Sequence, residues 1–194
     1  ACGGTGDLTN CTNTGAIATA AALSPEMLGG IGGITGTTNA DITGCTNSGT
    51  VTTSGERAGG VAGYAEGGTI SGCHSTGVLT GGNDTGGVLG YGVDVAVGSC
   101  FSAGQVSAPG ANNVGGIAGR LSVDEGTSGI TQCYSTANIS GMSYVGGIVG
   151  TLNSGCTVSA CYSTGDVVCE VQGAGGIAGI MYGSTVSNCY TMGY

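Results

Sequence analysis

The sequence is poor in basic side chains and in long apolar runs. It contains no Lys, and its only two Arg, Arg57 and Arg120, leave a formal net charge of −9. Because binding to nucleic acid or to anionic lipid needs a basic patch, this balance argues against both as partners. No apolar run reaches the roughly 18 residues that a membrane-spanning helix requires, so we expect no membrane insertion.

Large aliphatic residues are also scarce, whereas glycine is abundant. Leu, Ile, Val and Phe together make up less than a fifth of the 194 residues, and 45 residues are Gly. Such a composition is typical of disordered chains, but those are usually rich in charge, and here only 7% of residues are charged. The glycines therefore need another explanation, which the order of the residues provides.

The sequence consists of a repeat whose first segment contains a Cys. This segment reads Ile-Ser-Gly-Cys-His-Ser-Thr-Gly-Val over Ile70–Val78 and recurs over Ile130–Ile139 and Val158–Val167. The marker Cys returns every 27 to 34 residues, at Cys11, Cys45, Cys73, Cys100, Cys133, Cys161 and Cys189. A period of this size indicates stacked repeats.

A second segment, Gly-Gly-aliphatic-x-Gly, alternates with the first. Its copies are Gly59–Gly63, Gly86–Gly90, Gly115–Gly119, Gly146–Gly150 and Gly175–Gly179, with a weaker one at Gly29–Gly33. The chain thus contains six full repeats and a C-terminal half repeat that ends at Tyr194. No change in composition divides them, so we expect residues 1–194 to form a single repeat domain.

Aliphatic residues occupy two fixed positions, three residues before each marker Cys and six residues after it. Only stacked repeats could bury such short runs, so we predict an all-β parallel β-solenoid of about seven coils with roughly three short strands per coil. A spacing of three would put the aliphatic residue and the Cys on opposite faces of a straight strand, so we expect a bend between them. Loop insertions are expected at Ala21–Met27, where a short helix is possible, and at Ser122–Ser128.

The Gly-Gly-aliphatic-x-Gly unit followed by Asn-Cys-Tyr-Ser-Thr-Gly-x-Val resembles the GLUG repeat of bacterial secreted and surface proteins. The resemblance covers nearly the whole chain and recurs six times. It implies an extracellular or cell-surface β-solenoid of the kind found in adhesins, and it implies no catalytic activity.

The ten Cys allow two arrangements. No Cys-x2-Cys pair exists and His74 is the only His, so no metal site is expected. The marker cysteines could form a column of buried thiols, or disulfides could join neighbouring coils, whose backbones lie ~4.8 Å apart. Cys156 and Cys169, which flank one marker Cys, are the best candidates for a disulfide.

No reaction centre is evident, so we expect neither enzymatic activity nor a cofactor. His74 has no carboxylate partner nearby in sequence, and Gly-Gly-x-x-Gly lacks the Lys of a phosphate-binding loop. His74 instead belongs to a set of rings that directly follow marker cysteines, namely His74, Phe101, Tyr134, Tyr162 and Tyr190. We predict that these rings form an aromatic ladder that stabilises the stacked coils, the alternative being an exposed carbohydrate-binding strip.

The repeat begins almost at the first residue and continues to the last, without the atypical capping repeats that solenoids usually have. An uncapped strand edge is a template for another chain, and a head-to-tail contact generates an open filament. We therefore predict an extracellular structural protein that stacks on copies of itself into a surface filament. The residues expected at these contacts are Leu8, Cys11, Ile17, Val186, Cys189, Tyr190 and Tyr194. The alternative is an adhesin stalk or carbohydrate-binding segment of a larger surface protein, with host or environmental glycans as partners, and ice binding is a third hypothesis.

Overall fold

The computed structural model describes residues 6–19 and 29–192, and every regular element within them is a β-strand. No helix long and apolar enough to cross a membrane occurs in these residues. The first predicted insertion, Ala21–Met27, and the predicted end residue Tyr194 lie outside the described ranges.

The strands follow one another in seven successive turns. The first turn contains β1 (Leu8–Thr9), β2 (Thr12–Asn13), β3 (Ile17–Ala18), β4 (Ile31–Gly32) and β5 (Thr35–Thr38). The second contains β6 (Ile42–Thr43), β7 (Thr46–Asn47), β8 (Val51–Thr52), β9 (Ala58–Gly59) and β10 (Ala62–Glu66). The third contains β11 (Thr69–Ser71), β12 (His74–Ser75), β13 (Leu79–Thr80), β14 (Thr85–Gly86) and β15 (Leu89–Val93). The later turns contain β16 (Ala96–Gly98), β17 (Phe101–Ser102), β18 (Val106–Gly115), β19 (Ala118–Ser122); β20 (Gly129–Thr131), β21 (Tyr134–Ser135), β22 (Ile139–Gly146), β23 (Val149–Leu152); β24 (Thr157–Ser159), β25 (Tyr162–Ser163), β26 (Val167–Gly175), β27 (Ala178–Met181); β28 (Thr185–Ser187) and β29 (Tyr190–Thr191).

Equivalent strands of successive turns pair in parallel and build four sheets. Sheet A runs from β1 to β28 and sheet B from β2 to β29, each with seven strands. Sheet C contains the strands that follow sheet B in each turn, and sheet D has six strands, from β5 to β27. The prediction of a parallel β-solenoid is confirmed, but the coil has four walls where roughly three strands were expected. The extra wall arises because the Gly-Gly segment turns the chain from sheet C into sheet D.

The predicted bend before each marker Cys is present as a left-handed residue between sheets A and B. Positive φ values between 52° and 63° occur at Asn10, Gly44, Gly72, Ser99, Gln132, Ala160 and Asn188. This corner turns both flanking side chains inward, so that Ile70 and Cys73 are 1% and 0% exposed. Only two of the seven corner residues are Gly, although glycine adopts this conformation with least strain.

The glycines of the second segment serve a different purpose, which is close approach of the backbone. A Cβ at Gly116 would collide with the carbonyl of Gly147 and the hydroxyl of Ser135. Gly87 and Gly147 are packed in the same way against Ser102 and Ser163. The Gly-Gly corner therefore lies directly on a column of buried Ser behind sheet B.

Two hydrophobic clusters fill the coil. The larger joins the aliphatic and Cys columns of sheet A to residues of sheet D such as Leu121 and Leu152. The smaller lies inside sheet C around Leu79, Ile139 and Val145. Each interior turn supplies the same positions, so burial continues from one turn to the next without a boundary.

The second predicted insertion is a loop between β19 and β20. The Asp94 carboxylate, one turn earlier, accepts hydrogen bonds from the N–H groups of Asp124 and Glu125, both at 3.0 Å. These bonds lower the pKa of Asp94. An ordered loop thus projects beside the outer face of sheet D.

Candidate functional site

The five rings that follow marker cysteines form one stack along sheet B. Centroid separations are 4.3 Å for His74–Phe101, then 5.0, 5.0 and 5.1 Å towards Tyr190. The tyrosine rings are nearly parallel, with interplanar angles of 3° and 7°. In-register parallel pairing sets this distance, because partner residues on neighbouring strands lie ~4.8 Å apart. Each interior ring is covered by its neighbours, which is the geometry of a stabilising ladder.

The marker cysteines lie inside the solenoid as a column of free thiols. The N–H of Cys73 donates to Sγ of Cys100 at 3.3 Å, and the N–H of Cys100 donates to Sγ of Cys133 at 3.3 Å. Each buried thiol donates in turn to sheet A carbonyls, as Cys100 does to Gly98 at 3.2 Å. These hydrogen bonds satisfy the sulfur atoms, so the column is part of the core.

The predicted disulfide between Cys156 and Cys169 is wrong. Cys156 is buried beneath sheet A, where burial raises the pKa of its thiol to about 11. Cys169 lies in sheet C beside the smaller cluster, and its Sγ donates to the Met142 carbonyl at 3.4 Å. The two residues belong to different walls, and no disulfide joins any of the nine described cysteines.

Six of the seven predicted end residues lie in the first and last turns that the structure describes. Leu8, Cys11 and Ile17 are only partly buried, as are Val186 and Cys189 at the other edge. The described chain supplies these residues with a neighbouring turn on one side only. Tyr190 is 53% exposed for the same reason.

A further surface, which the repeat pattern alone did not indicate, lies on the outer face of sheet D. There the in-register column reads Thr37, Tyr64, Tyr91, Arg120, Thr151 and Ile180. Two adjoining depressions, of about 560 and 310 Å³, open along it and share Asn153 and Tyr182. We call their combined surface the sheet D cleft, lined by Tyr64, Glu66, Tyr91, Val93, Asn112, Asn113, Arg120, Ser122, Val123, Asp124, Tyr144, Thr151, Asn153, Ser154, Ile180 and Tyr182.

Arg120 is held in the cleft by a buried acidic partner. Its Nη2 lies 3.0 Å from Oδ1 of Asp84, a residue that is 4% exposed. Asn113 donates to the same carboxylate at 2.7 Å and accepts from the Thr151 hydroxyl at 2.7 Å. Burial raises the pKa of Asp84, and the positive charge of Arg120 opposes that shift. Within the described residues, no group of three or more His, Cys, Asp or Glu could hold a metal ion.

Tyrosine rings and a second Arg fill the neighbouring part of the column. The guanidinium of Arg57 lies 4.9 Å from the ring centroid of Tyr64 and 5.3 Å from that of Tyr91, and the guanidinium of Arg120 also lies 5.3 Å from the Tyr91 centroid. The Tyr64 hydroxyl donates to Glu66 at 3.1 Å, and burial together with this bond raises the pKa of Tyr64 to about 12. These cation–π contacts fix the rings in place.

A feature of the repeat alignment could have indicated this surface. The position immediately after the Gly-Gly-aliphatic-x-Gly unit holds Tyr64, Tyr91, Arg120, Thr151 and Ile180 in successive copies. In these five copies the glycines of the unit stay the same, whereas the residue that follows the unit changes. Both Arg and four of the eight Tyr lie near this position. That concentration of Arg and Tyr is the feature of the sequence that indicates the surface.

Two comparisons with known proteins agree with this architecture. The Glug family model, which describes the GLUG motif, matches residues 24–52 and 54–80. No curated protein matches the sequence. A crystal structure of a candidate immunoglobulin A1 protease from Bacteroides ovatus is similar in fold, with a TM-score of 0.60 and 20% identity, over 94% of this chain and 67% of that one. At that identity the similarity concerns the fold alone. The chain thus carries the GLUG motif over residues 24–52 and 54–80, and the described residues of these stretches lie in a parallel β-solenoid.

Proposed function

We propose that the protein is a non-enzymatic structural solenoid of the bacterial cell exterior that joins end to end with copies of itself. The GLUG repeats support a secreted or surface protein. The observation that carries the end-to-end contact is the self-complementarity of the repeat, since the first and last described turns hold the same aliphatic position in sheet A.

Among the described residues, no strand pairs with the outer sides of β28 and β29, and apolar side chains lie beside them. Between turns of sheet A, the amide of the aliphatic column donates to the following turn, as Leu8 does to the Asp41 carbonyl at 2.9 Å. Val186 holds the equivalent position in β28, and residues 6–19 and 29–192 supply no turn beyond it. Tyr190 and Met192, which are 53% and 61% exposed, add apolar surface. Such an edge favours pairing with another chain.

The first turn is complementary to this edge because both are copies of one repeat. A second molecule placed in register would set Leu8 over Val186 and Cys11 over Cys189, and would extend sheets A and B. In the described residues, sheets C and D end one turn earlier, at β26 and β27. The joint is therefore confined to sheets A and B, and we expect it to be weaker than the contact between turns of one chain. Because the two contacting surfaces differ, the association is open-ended and yields filaments.

The side chains that could serve catalysis are occupied by structural contacts. His74 is stacked on Phe101, and the buried carboxylate of Asp84 is paired with Arg120. This supports a structural role for the solenoid. A carbohydrate-binding role, the alternative from the sequence, is favoured by a different observation, the sheet D cleft.

Electron microscopy and sedimentation of the purified chain over a range of concentrations test the proposal. We expect filaments or a concentration-dependent rise in mass, and we expect Val186→Lys to abolish it by placing a charge at the joint. Val78→Lys is the matched control, because Val78 is 44% exposed and lies on an interior turn. A chain that stays monomeric at every concentration, or a Val186→Lys variant that assembles like the parent, would contradict the proposal.

A further inference from the structure

We propose that the sheet D cleft is a binding site for a neutral oligosaccharide chain. This site is separate from the aromatic ladder on sheet B and from the strand edges. It would function whether or not the solenoid joins end to end, so the two proposals can fail independently.

Aromatic rings are concentrated in the cleft. Outside the ladder, every tyrosine that the structure describes lines it, namely Tyr64, Tyr91, Tyr144 and Tyr182. Tyr182 is 50% exposed, Tyr91 and Tyr144 are half-buried, and Tyr64 forms part of the floor. The exposed ring of Tyr182 suits the C–H face of a sugar ring, which packs on an aromatic face while its hydroxyls remain free to hydrogen-bond.

Polar side chains with fixed orientations lie between these rings. Asn153 donates to the Ser122 hydroxyl at 2.9 Å, and that hydroxyl is also 3.0 Å from the Tyr91 hydroxyl. Arg120, which is fixed by Asp84, lines the smaller depression. Amide, guanidinium and hydroxyl groups together can donate to and accept from sugar hydroxyls.

The charge of the surroundings selects a neutral ligand. Glu66 and Asp124 stand at the cleft, and the chain as a whole carries a net charge of −9. The positive charge of Arg120 is already paired with Asp84, and Arg57 is stacked on two tyrosine rings. An acidic polysaccharide would therefore meet repulsion without an available cationic partner.

A peptide fits the cleft less well than a sugar chain. Four of the five strands beneath it, β10, β15, β19 and β23, are each paired on both sides. Among the described residues, only the outer edge of β27, at one end of the cleft, is open to an added strand. The cleft also crosses these strands instead of running along one. From β10 to β27 it spans five neighbouring strands, or about 19 Å at ~4.8 Å per strand, which is long enough for an extended oligosaccharide.

The test is a printed array of neutral oligosaccharides and of uronic acid- or sialic acid-containing ones, followed by titration calorimetry with the best neutral ligand. Tyr182→Ala should weaken binding at least about tenfold, in the range of one lost stacking contact, and Tyr182→Phe should retain most of it. Tyr162→Ala is the matched control, since it removes a tyrosine from the ladder and leaves the cleft intact. Circular dichroism confirms that each variant keeps its β-structure.

Each outcome of this test decides the proposal. Binding of neutral glycans that Tyr182→Ala weakens and Tyr162→Ala leaves unchanged supports it. No binding on the array, binding restricted to acidic glycans, or loss on Tyr162→Ala with retention on Tyr182→Ala overturns it. The last result would place the sugar on the ladder. Filament formation is measured separately, so a failure here leaves that proposal standing.

Discussion

The outer faces of sheets B and D are built by the same stacking rule but carry different side chains. On sheet B the exposed position is occupied in five successive turns by a ring, and the rings lie in one stack. On sheet D the equivalent in-register column changes from Tyr to Arg, Thr and Ile. Parallel in-register pairing places like residues over one another, so repetition gives a ladder and variation gives a differentiated surface.

This contrast indicates where a repeat protein keeps its specific chemistry. A column of one residue type, such as the thiols, is explained by contact between turns, and so is the run of rings from His74 to Tyr190, which follows Thr12 and Thr46 in its column. A column whose members differ, while the glycines beside it stay fixed, is not explained by stacking. The sheet D column meets that description, and the guanidinium groups of both Arg lie over a tyrosine ring of this column.

The largest expected effect comes from the corner that both faces share. Gly116→Ala should destabilise the protein by about 3 kcal/mol, because the added Cβ overlaps the Gly147 carbonyl and the Ser135 hydroxyl in a packed backbone. Denaturant unfolding measures the change. Gly98→Ala is the control, since its Cβ would meet only the Thr131 carbonyl at 3.9 Å. Equal losses for the two variants would show that the Gly-Gly corner is not a point of close approach.

A smaller loss is expected from breaking the ion pair beneath the cleft. Arg120→Leu should cost about 2 kcal/mol at neutral pH, because it leaves the Asp84 carboxylate buried without its counter-charge. The Arg120 side chain is 34% exposed, so water screens the ion pair. The expected loss of stability is therefore smaller than that for a fully buried pair.

The stability lost in Arg120→Leu should also depend on pH in a defined direction. Burial already raises the pKa of Asp84 in the folded protein, and removing Arg120 should raise it further. A carboxyl with a raised folded pKa stabilises the fold below its unfolded pKa, and that contribution is lost as pH rises through the folded pKa. The free-energy difference between Arg120→Leu and the parent should therefore be smaller at about pH 4 than at about pH 7. A difference that grows on acidification would contradict this account of the pair.

The ladder should contribute to stability and not to binding. Tyr162→Ala removes two stacked contacts, at 5.0 and 5.1 Å, and should lower the free energy of unfolding by about 1–2 kcal/mol. Tyr182→Ala, at a 50% exposed position, should change it by no more than about 0.5 kcal/mol. Thermal unfolding of both variants tests this prediction, which would be wrong if Tyr182→Ala were the more destabilising.

Much of the fold followed from repeat spacing, because a period near 28 residues leaves few ways to bury two aliphatic columns. The bend before each marker Cys was predictable from a spacing of three. The left-handed corner itself was less visible, since Gln132, Ala160 and Ser99 occupy it as well as Gly. The fourth wall was missed because the Gly-Gly segment reads equally well as a turn or as a strand end.

The site was harder to predict than the fold for a physical reason. The strands that support Tyr64, Tyr91 and Arg120 are specified by their inward residues, such as Ala65 and Leu121, and place few demands on the outward ones. The disulfide prediction failed because Cys156 and Cys169 are close in sequence but belong to different walls. Two residues that are close in sequence can lie on different walls of the coil, and residues on different walls need not be in contact.

The most direct test of the contrast between the two faces is one paired experiment on Tyr162→Ala and Tyr182→Ala. For each variant, thermal stability and affinity for the neutral oligosaccharide are measured on the same preparation. We expect Tyr162→Ala to lose stability and keep affinity, and Tyr182→Ala to keep stability and lose affinity. Two variants that lose both properties together, or the reverse assignment, would contradict the view that the repeated column is structural and the varied column binds.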